Sequence, residues 1–241
     1  MAERRPVDAI ILAGGKGTRL QSVVSEVPKP LAPVNGRPFL DYQLSLLARS
    51  GLVERVVLAI GHLAERVVEH YRDALPPLPL EFVVEEDLLG TGGGLRNALP
   101  ATRSERVLAL NGDSVFAWDL ELLLAAHERL RPSATMAVVR VPDTGRYGAV
   151  DVADGRVVAF REKEQAGGDG LINAGVYLFE REALEAIPPG RAMSVERDVF
   201  PQLAESGRLA AVAFESAFID IGLPETYSAA GAILPELVGS G

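Results

Sequence analysis

Apolar positions fall into two rhythms along this chain. In the first half, short apolar runs without alternation are separated by stretches of helical period. Val7–Leu12, Arg55–Ile60, Glu81–Glu85 and Arg106–Leu110 read as strands, most of them covered on both faces. Between them, Phe39–Arg49 puts Leu40, Leu44 and Leu47 on one helical face and stops before Gly51; Leu63–Tyr71, Gly92–Leu99 and Leu120–Leu130 read as further helices. This order predicts an α/β fold with a doubly wound, mainly parallel mixed sheet of Rossmann-like build. Ligands then meet the carboxyl ends of the strands.

After residue 133 the rhythm changes. Thr135–Arg140, Ala149–Val152, Val157–Glu162 and Gly175–Phe179 read as strands separated by turns, which predicts a small antiparallel subdomain. Helices Arg181–Ala186 and Val195–Glu205, a strand Leu209–Phe214, the segment Phe218–Ile221 and a helix Glu225–Leu234 complete the pattern. The whole of 1–241 is expected to be one domain with two parts, about 1–132 and about 133–241.

Composition excludes several classes of chemistry. The chain has no cysteine, so thiol nucleophiles, disulfides and cysteine-based zinc sites are out. Its three histidines, His62, His70 and His127, lack metal-ligand spacing and read as structural or surface residues. A net charge of −9 argues against a nucleic-acid partner. An acidic chain that binds an anion needs local cations and a divalent metal. No apolar run reaches transmembrane length and the first residues lack a signal-peptide core, so a cytoplasmic location away from membranes is expected. A homodimer is compatible with the sequence.

The densest chemistry lies where the first strand ends. Leu12-Ala13-Gly14-Gly15-Lys16-Gly17-Thr18-Arg19-Leu20 is followed by Pro28-Lys29-Pro30. Glycines at that place let backbone N–H groups approach a phosphate with no Cβ in the way. Arg19 and Lys29 add charge suited to a reacting triphosphate. A Walker A loop needs Ser or Thr after Gly15-Lys16, and Gly17 stands there instead. A dinucleotide loop counted from Gly15 and Gly17 needs a glycine where Leu20 stands. Farther on, Asn111-Gly112-Asp113 ends an apolar strand and Asp220 follows another apolar stretch. Two carboxylates meeting across the crevice would bind Mg²⁺. Each aspartate alone reads equally as a turn cap.

These blocks resemble the sugar-1-phosphate nucleotidylyltransferases, whose signature is Gly-Gly-x-Gly-Thr-Arg-Leu with a downstream Pro-Lys-Pro. The resemblance runs from Gly14 to beyond Pro224 and is strongest toward guanylyltransferases acting on D-glycero-alpha-D-manno-heptose 1-phosphate. It implies transfer of GMP from GTP to a sugar 1-phosphate, with nucleotide binding in about 1–132 and sugar binding and metal closure in about 133–241. Arg19 then faces the leaving pyrophosphate and Lys29 the α-phosphate, as catalytic residues. Leu12, Ala13, Gly14, Gly15, Gly17, Thr18, Gly90, Thr91 and Gly112 hold the nucleotide, and Asp113 and Asp220 hold Mg²⁺. Glu85, five places before Gly90, occupies the base-reading position. An ionised carboxylate only accepts, which suits the two adjacent donors of guanine and repels the acceptors of uracil and thymine. Gly148, Glu162, Lys163 and Asn173 match the family's contacts to the sugar phosphate. Mannose 1-phosphate, another base, or a non-catalytic nucleotide sensor on the same fold stay open as alternatives. The sensor is disfavoured because Arg19, Lys29, Asp113 and Asp220 are all present.

Overall fold

The computed structural model describes residues 6–15, 17, 19–20, 23–24, 27–161 and 167–238. The chain opens with β1 (Val7–Ala13), a small hairpin of β2 (Pro33–Val34) and β3 (Arg37–Pro38), and α1 (Phe39–Ser50). Then come β4 (Val53–Ile60), α2 (Ala64–Asp73), β5 (Leu80–Val84), α3 (Gly90–Ala98), β6 (Arg106–Asn111), β7 (Ser114–Phe116) and α4 (Leu120–Leu130). The second part holds β8 (Ala134–Val141), β9 (Ala149–Ala153), β10 (Arg156–Arg161), β11 (Gly170–Glu180) and α5 (Arg181–Glu185). It ends with a π-helical turn at Val195–Val199, α6 (Phe200–Glu205), β12 (Leu209–Phe214), β13 (Phe218–Asp220) and α7 (Pro224–Val238).

Among the described residues, nine strands form one sheet in the order β5-β4-β1-β6-β11-β8-β12-β10-β9. β5, β4, β1 and β6 are parallel. β11 enters antiparallel between β6 and β8, and β12 lies parallel to β8. The later strands therefore extend the first sheet, and β9 and β10 form its antiparallel edge. β1 is apolar apart from the buried Asp8 because it is paired on both sides and covered on both faces. Its alternate side chains feed different layers. Val7, Ala9, Ile11 and Ala13 join the core under α1, α2 and α4, while Ile10 joins the core under α3, α5 and α6.

Two short pairings shape the end where the site lies. Asn35 and Gly36 both have positive φ, 50° and 75°, so the two-residue turn closes β2 on β3 with the twist a tight hairpin requires. β13 pairs with β7, setting Ser114 opposite Asp220 and Val115 opposite Ile219. Val115, Ile219 and Ile221 are buried with Phe39, Tyr42, Ala230 and Leu234, so a third apolar cluster supports this ribbon from below. The segment read as one helix over Val195–Glu205 is a π-helical turn joined to α6. Pro201, in the first turn of α6, lacks the N–H that a continuous α-helix would use there.

Candidate active site

β1 is followed by β4 on one side, and the chain later returns to place β6 on the other. The order of strands reverses at β1, which opens a crevice at the carboxyl ends of β1 and β6. A cavity of about 420 Å³ fills it. Its wall includes Leu12, Ala13, Gly14, Gly15, Gly17, Lys29, Glu85, Gly90, Thr91, Gly112 and Asp113, so the residues singled out in separate sequence blocks share one space. Gly112 is forced by the fold: its N–H donates to the Leu12 carbonyl at 2.9 Å, and a Cβ there would lie 2.5 Å from that same oxygen. Gly15 is different, because a Cβ there would meet no described atom within 4 Å. Thr18 and Lys16 lie outside the described residues.

Lys29 stands between two prolines on a 3₁₀ turn, and its stem packs on Gly17, where a Cβ would sit 3.3 Å from Lys29 Cβ. Lys29 Nζ donates to Asp113 Oδ2 at 2.7 Å. Asp220 is held more heavily. Arg146 Nη2 donates to both Oδ1 and Oδ2 at 2.8 Å, the Tyr147 hydroxyl donates to Oδ2 at 2.9 Å, and the Gly222 N–H donates to Oδ1 at 2.9 Å. The aspartates are neighbours across the β7–β13 ribbon, because the Ile221 N–H donates to the Asp113 carbonyl at 2.9 Å. A Cβ on Gly222 would lie 2.9 Å from Asp220 Oδ1 and 3.8 Å from Lys29 Nζ, so the Gly222 backbone separates Asp220 from the Lys29–Asp113 pair. Burial, the Asp220 charge and the hydrogen bond to it push the Tyr147 hydroxyl up to about 12, so it stays a donor at neutral pH. Arg19 sits on an exposed turn closed by the Leu20 N–H on the Gly17 carbonyl, outside the cavity wall.

Among the described residues, no group of three His, Asp or Glu side chains is arranged around one point for a metal. A divalent ion would rest on Asp113 and Asp220, with water and phosphate oxygens completing its shell. Two hard carboxylates of this kind fit Mg²⁺.

Glu85 enters from the end of β5, where its N–H donates to the Ile60 carbonyl at 2.7 Å. Its carboxylate folds over two glycines. A Cβ on Gly94 would lie 2.5 Å from Oε1, and one on Gly14 would lie 3.5 Å from Oε2. Half-burial raises the Glu85 pKa, and the Leu89 N–H, 3.5 Å from Oε2, opposes that shift. The glycine loop thus runs from Gly14 beside Glu85 to Gly17 beside Lys29.

The Gly90–Gly94 stretch has a packing cause that sequence reading missed. The chain at 191–193 runs against the start of α3. Gly92 and Gly93 donate to the Met193 carbonyl at 2.9 and 3.3 Å, and Met193 N–H donates to Leu89. A Cβ on Gly90 would lie 2.5 Å from Met193 O, and one on Gly93 would lie 2.5 Å from Arg191 O. Thr91 is also committed. Its hydroxyl donates to Glu196 Oε2 at 2.6 Å and accepts from the Val195 N–H at 2.8 Å.

The expected sugar-side residues divide. Glu162 and Lys163 lie outside the described residues. Gly148 has φ +80° and donates its N–H to Thr144, which fixes the loop that carries Arg146 and Tyr147. Asn173, expected at the sugar, has its amide bonded within β11: Oδ1 accepts from Gly175 N–H at 2.9 Å and Nδ2 donates to the buried Tyr177 hydroxyl at 2.9 Å. Arg146 and Tyr147, the two residues before Gly148, are hydrogen-bond partners of Asp220. His127 is buried between Thr135 and Glu180, while His62 and His70 are exposed, in keeping with structural or surface roles.

Comparison with known proteins places this geometry. Residues 8–236 match the nucleotidyl transferase family (NTP_transferase), and the chain belongs to that family. It is 40% identical over 225 residues to a mannose-1-phosphate guanylyltransferase of Mycobacterium tuberculosis, covering 92% of this chain and 62% of that protein. It is 34% identical over 221 residues to a D-glycero-alpha-D-manno-heptose 1-phosphate guanylyltransferase of Aneurinibacillus thermoaerophilus, covering 92% of this chain and 95% of that protein. Among solved structures, HddC from Yersinia pseudotuberculosis superposes with a TM-score of 0.83 at 32% identity, covering 94% of this chain and 98% of HddC; it is also known complexed with GMP-PN.

Proposed function

We propose that this protein transfers GMP from GTP to a sugar 1-phosphate of manno configuration, D-glycero-alpha-D-manno-heptose 1-phosphate first, releasing pyrophosphate. One observation carries the reading. A single cavity has an acceptor-only carboxylate, Glu85, against one end of its glycine loop, and the Lys29–Asp113 pair against the other. A nucleoside triphosphate with two adjacent base donors matches both ends. Both kinds of guanylyltransferase relative support the base, and the Aneurinibacillus thermoaerophilus enzyme supports the heptose acceptor. Mannose 1-phosphate is the second reading, favoured by the 40% identity to the mycobacterial enzyme.

In this reading the glycine loop cradles the phosphates and Glu85 fixes the base. A phosphate oxygen of the acceptor attacks the α-phosphorus, the bond to the bridging oxygen of the β-phosphate breaks, and pyrophosphate leaves with the electron pair. The acceptor phosphate is ionised near neutral pH, so the chain need not remove a proton. Lys29 leaves Asp113 for the α-phosphate as charge builds there, and Arg19 receives the leaving group. Mg²⁺ held by Asp113 and Asp220 supplies neutralisation of phosphate charge when bound. Lys163 and Glu162 are assigned to the sugar phosphate. Among the described residues no helix is long and apolar enough to cross a membrane, and a cytoplasmic location, where GTP is available, belongs to the same proposal.

The test is pyrophosphate release from Mg²⁺, each nucleoside triphosphate in turn and a panel of sugar 1-phosphates. GTP with a manno-configured acceptor is expected to lead. Equal turnover with UTP would remove the base assignment, and no release with any pair would remove the activity.

A further inference from the structure

We propose that Arg146 is a ligand of the acceptor's phosphate, held on Asp220 until a divalent ion takes its place. The proposal rests on the reading of Asp113 and Asp220 as a divalent-ion site. A guanidinium that braces a carboxylate for structural reasons commonly uses two nitrogens in parallel. Here one nitrogen, Nη2, reaches both oxygens at 2.8 Å and approaches Thr226 Oγ1 at 3.4 Å. Nε and Nη1 of Arg146 make no hydrogen bond among the described residues, and the side chain is about one-third exposed. The donors that would face a phosphate are therefore unspent.

Asp220 does not depend on Arg146 for its orientation. Tyr147 holds Oδ2 and the Gly222 N–H holds Oδ1. Tyr147 is itself packed edge-on against Phe218, with centroids 5.5 Å apart, and Arg146 lies over its ring at 5.0 Å. The loop is anchored independently by the Thr144 carbonyl, which accepts from Tyr147 and Gly148 N–H, and by Thr144 N–H on Gly168. Only the guanidinium has to move.

Charge balance points the same way. Each aspartate carries one monovalent side-chain cation, Lys29 on Asp113 and Arg146 on Asp220. One divalent ion neutralises both carboxylates and frees both cations beside incoming phosphates. Lys29 is already assigned to the nucleotide, so of these two cations Arg146 is the one that joins Lys163 at the acceptor's phosphate. Metal and guanidinium then compete for Asp220, while metal and phosphate binding reinforce one another.

The experiment uses Mn²⁺ alone, followed by electron paramagnetic resonance, and then inorganic phosphate titrated in saturating Mn²⁺. Arg146→Met is expected to bind Mn²⁺ about tenfold more tightly than the wild type and inorganic phosphate about tenfold more weakly. The gain in Mn²⁺ affinity should vanish when Asp220→Asn is added. With an accepted sugar 1-phosphate, its KM should rise by a similar factor while the KM for GTP holds. Arg146→Lys, which keeps the charge, should fall between the two. Unchanged or weaker Mn²⁺ binding in Arg146→Met would overturn the competition, and unchanged phosphate affinity would overturn the phosphate role. The Mn²⁺ and phosphate measurements need no turnover. If they behave as expected while no sugar 1-phosphate is guanylylated, the proposed reaction fails and the Arg146 exchange stands.

Discussion

Lys29 Nζ lies 2.7 Å from Asp113 Oδ2, with the lysine side chain mostly buried and the aspartate nearly half exposed. The pair joins a cation proposed for the nucleotide to a carboxylate proposed for the metal. Its worth to stability is small, because an ion pair with one partner this exposed contributes about 0–1 kcal/mol. In the proposed reaction its worth is larger, because charge would build at the α-phosphorus beside the ammonium. Lys29→Ala should lower kcat about 10²–10³-fold while the melting temperature hardly moves. Steady-state kinetics and a thermal melt on the same preparation decide it. A collapsed melt with intact kcat would make Lys29 a structural residue.

Glu85 gives a prediction with two opposite signs. Its pKa is raised in the folded chain by burial, so it favours folding below the ordinary carboxylate value and that contribution is lost as pH rises through the folded value. At pH 7 the ionised carboxylate therefore costs stability. Glu85→Gln should melt higher than the wild type at pH 7, and the difference should shrink toward pH 4. The same substitution introduces a donor against guanine, so the preference for GTP over UTP in kcat/KM should fall by about tenfold or more. A variant that melts lower at pH 7, or keeps its preference, contradicts this placing of Glu85.

Much of the nucleotide half is legible from sequence because its signals are local. β1 is apolar from Ala9 to Ala13, the glycines follow at once, and Pro28-Lys29-Pro30 comes soon after them. The partners of Asp220 are not legible. Arg146 and Tyr147 meet it only because β13 pairs with β7 and a loop fixed at Thr144 folds over the ribbon. The packing demand on Gly90, Gly92 and Gly93 is hidden for the same reason: the chain that meets them, 191–193, comes from a distant part of the sequence. Asn35-Gly36 does carry a hairpin signal, but the strands it joins are two residues each and show no alternation to confirm it.

Glycines of two kinds should therefore respond in two ways. Replacing a helical glycine by alanine ordinarily gains up to about 1 kcal/mol. At Gly93 the new Cβ would meet Arg191 O at 2.5 Å and Leu89 Cβ at 2.8 Å. Gly93→Ala should instead cost about 1–3 kcal/mol, read by urea denaturation. Gly15→Ala meets nothing within 4 Å among the described residues and should leave stability alone. If the loop cradles phosphate, Gly15→Ala should weaken GTP binding measured by calorimetry. Loss of stability in Gly15→Ala with full GTP affinity would exchange the two roles.

His127 tests the opposite end of the sheet, where β6, β8 and β12 begin. Burial lowers its pKa from the ordinary 6.5, outweighing the Glu180 carboxylate that favours the charged form; Arg106 lowers it further and Glu128 opposes. A depressed folded pKa contributes stability that is present above 6.5 and lost as pH falls through the folded value. His127→Gln keeps an amide beside Thr135 and Glu180 but cannot titrate. At pH 7 it should cost about 1–2 kcal/mol for imperfect hydrogen bonds. By pH 5 that gap should narrow, because the wild type alone must place a proton on a buried ring. Urea denaturation of both proteins at the two pH values measures the change. A gap that widens on acidification would mean that the Glu180 pairing outweighs burial, with the imidazole charged in the native protein.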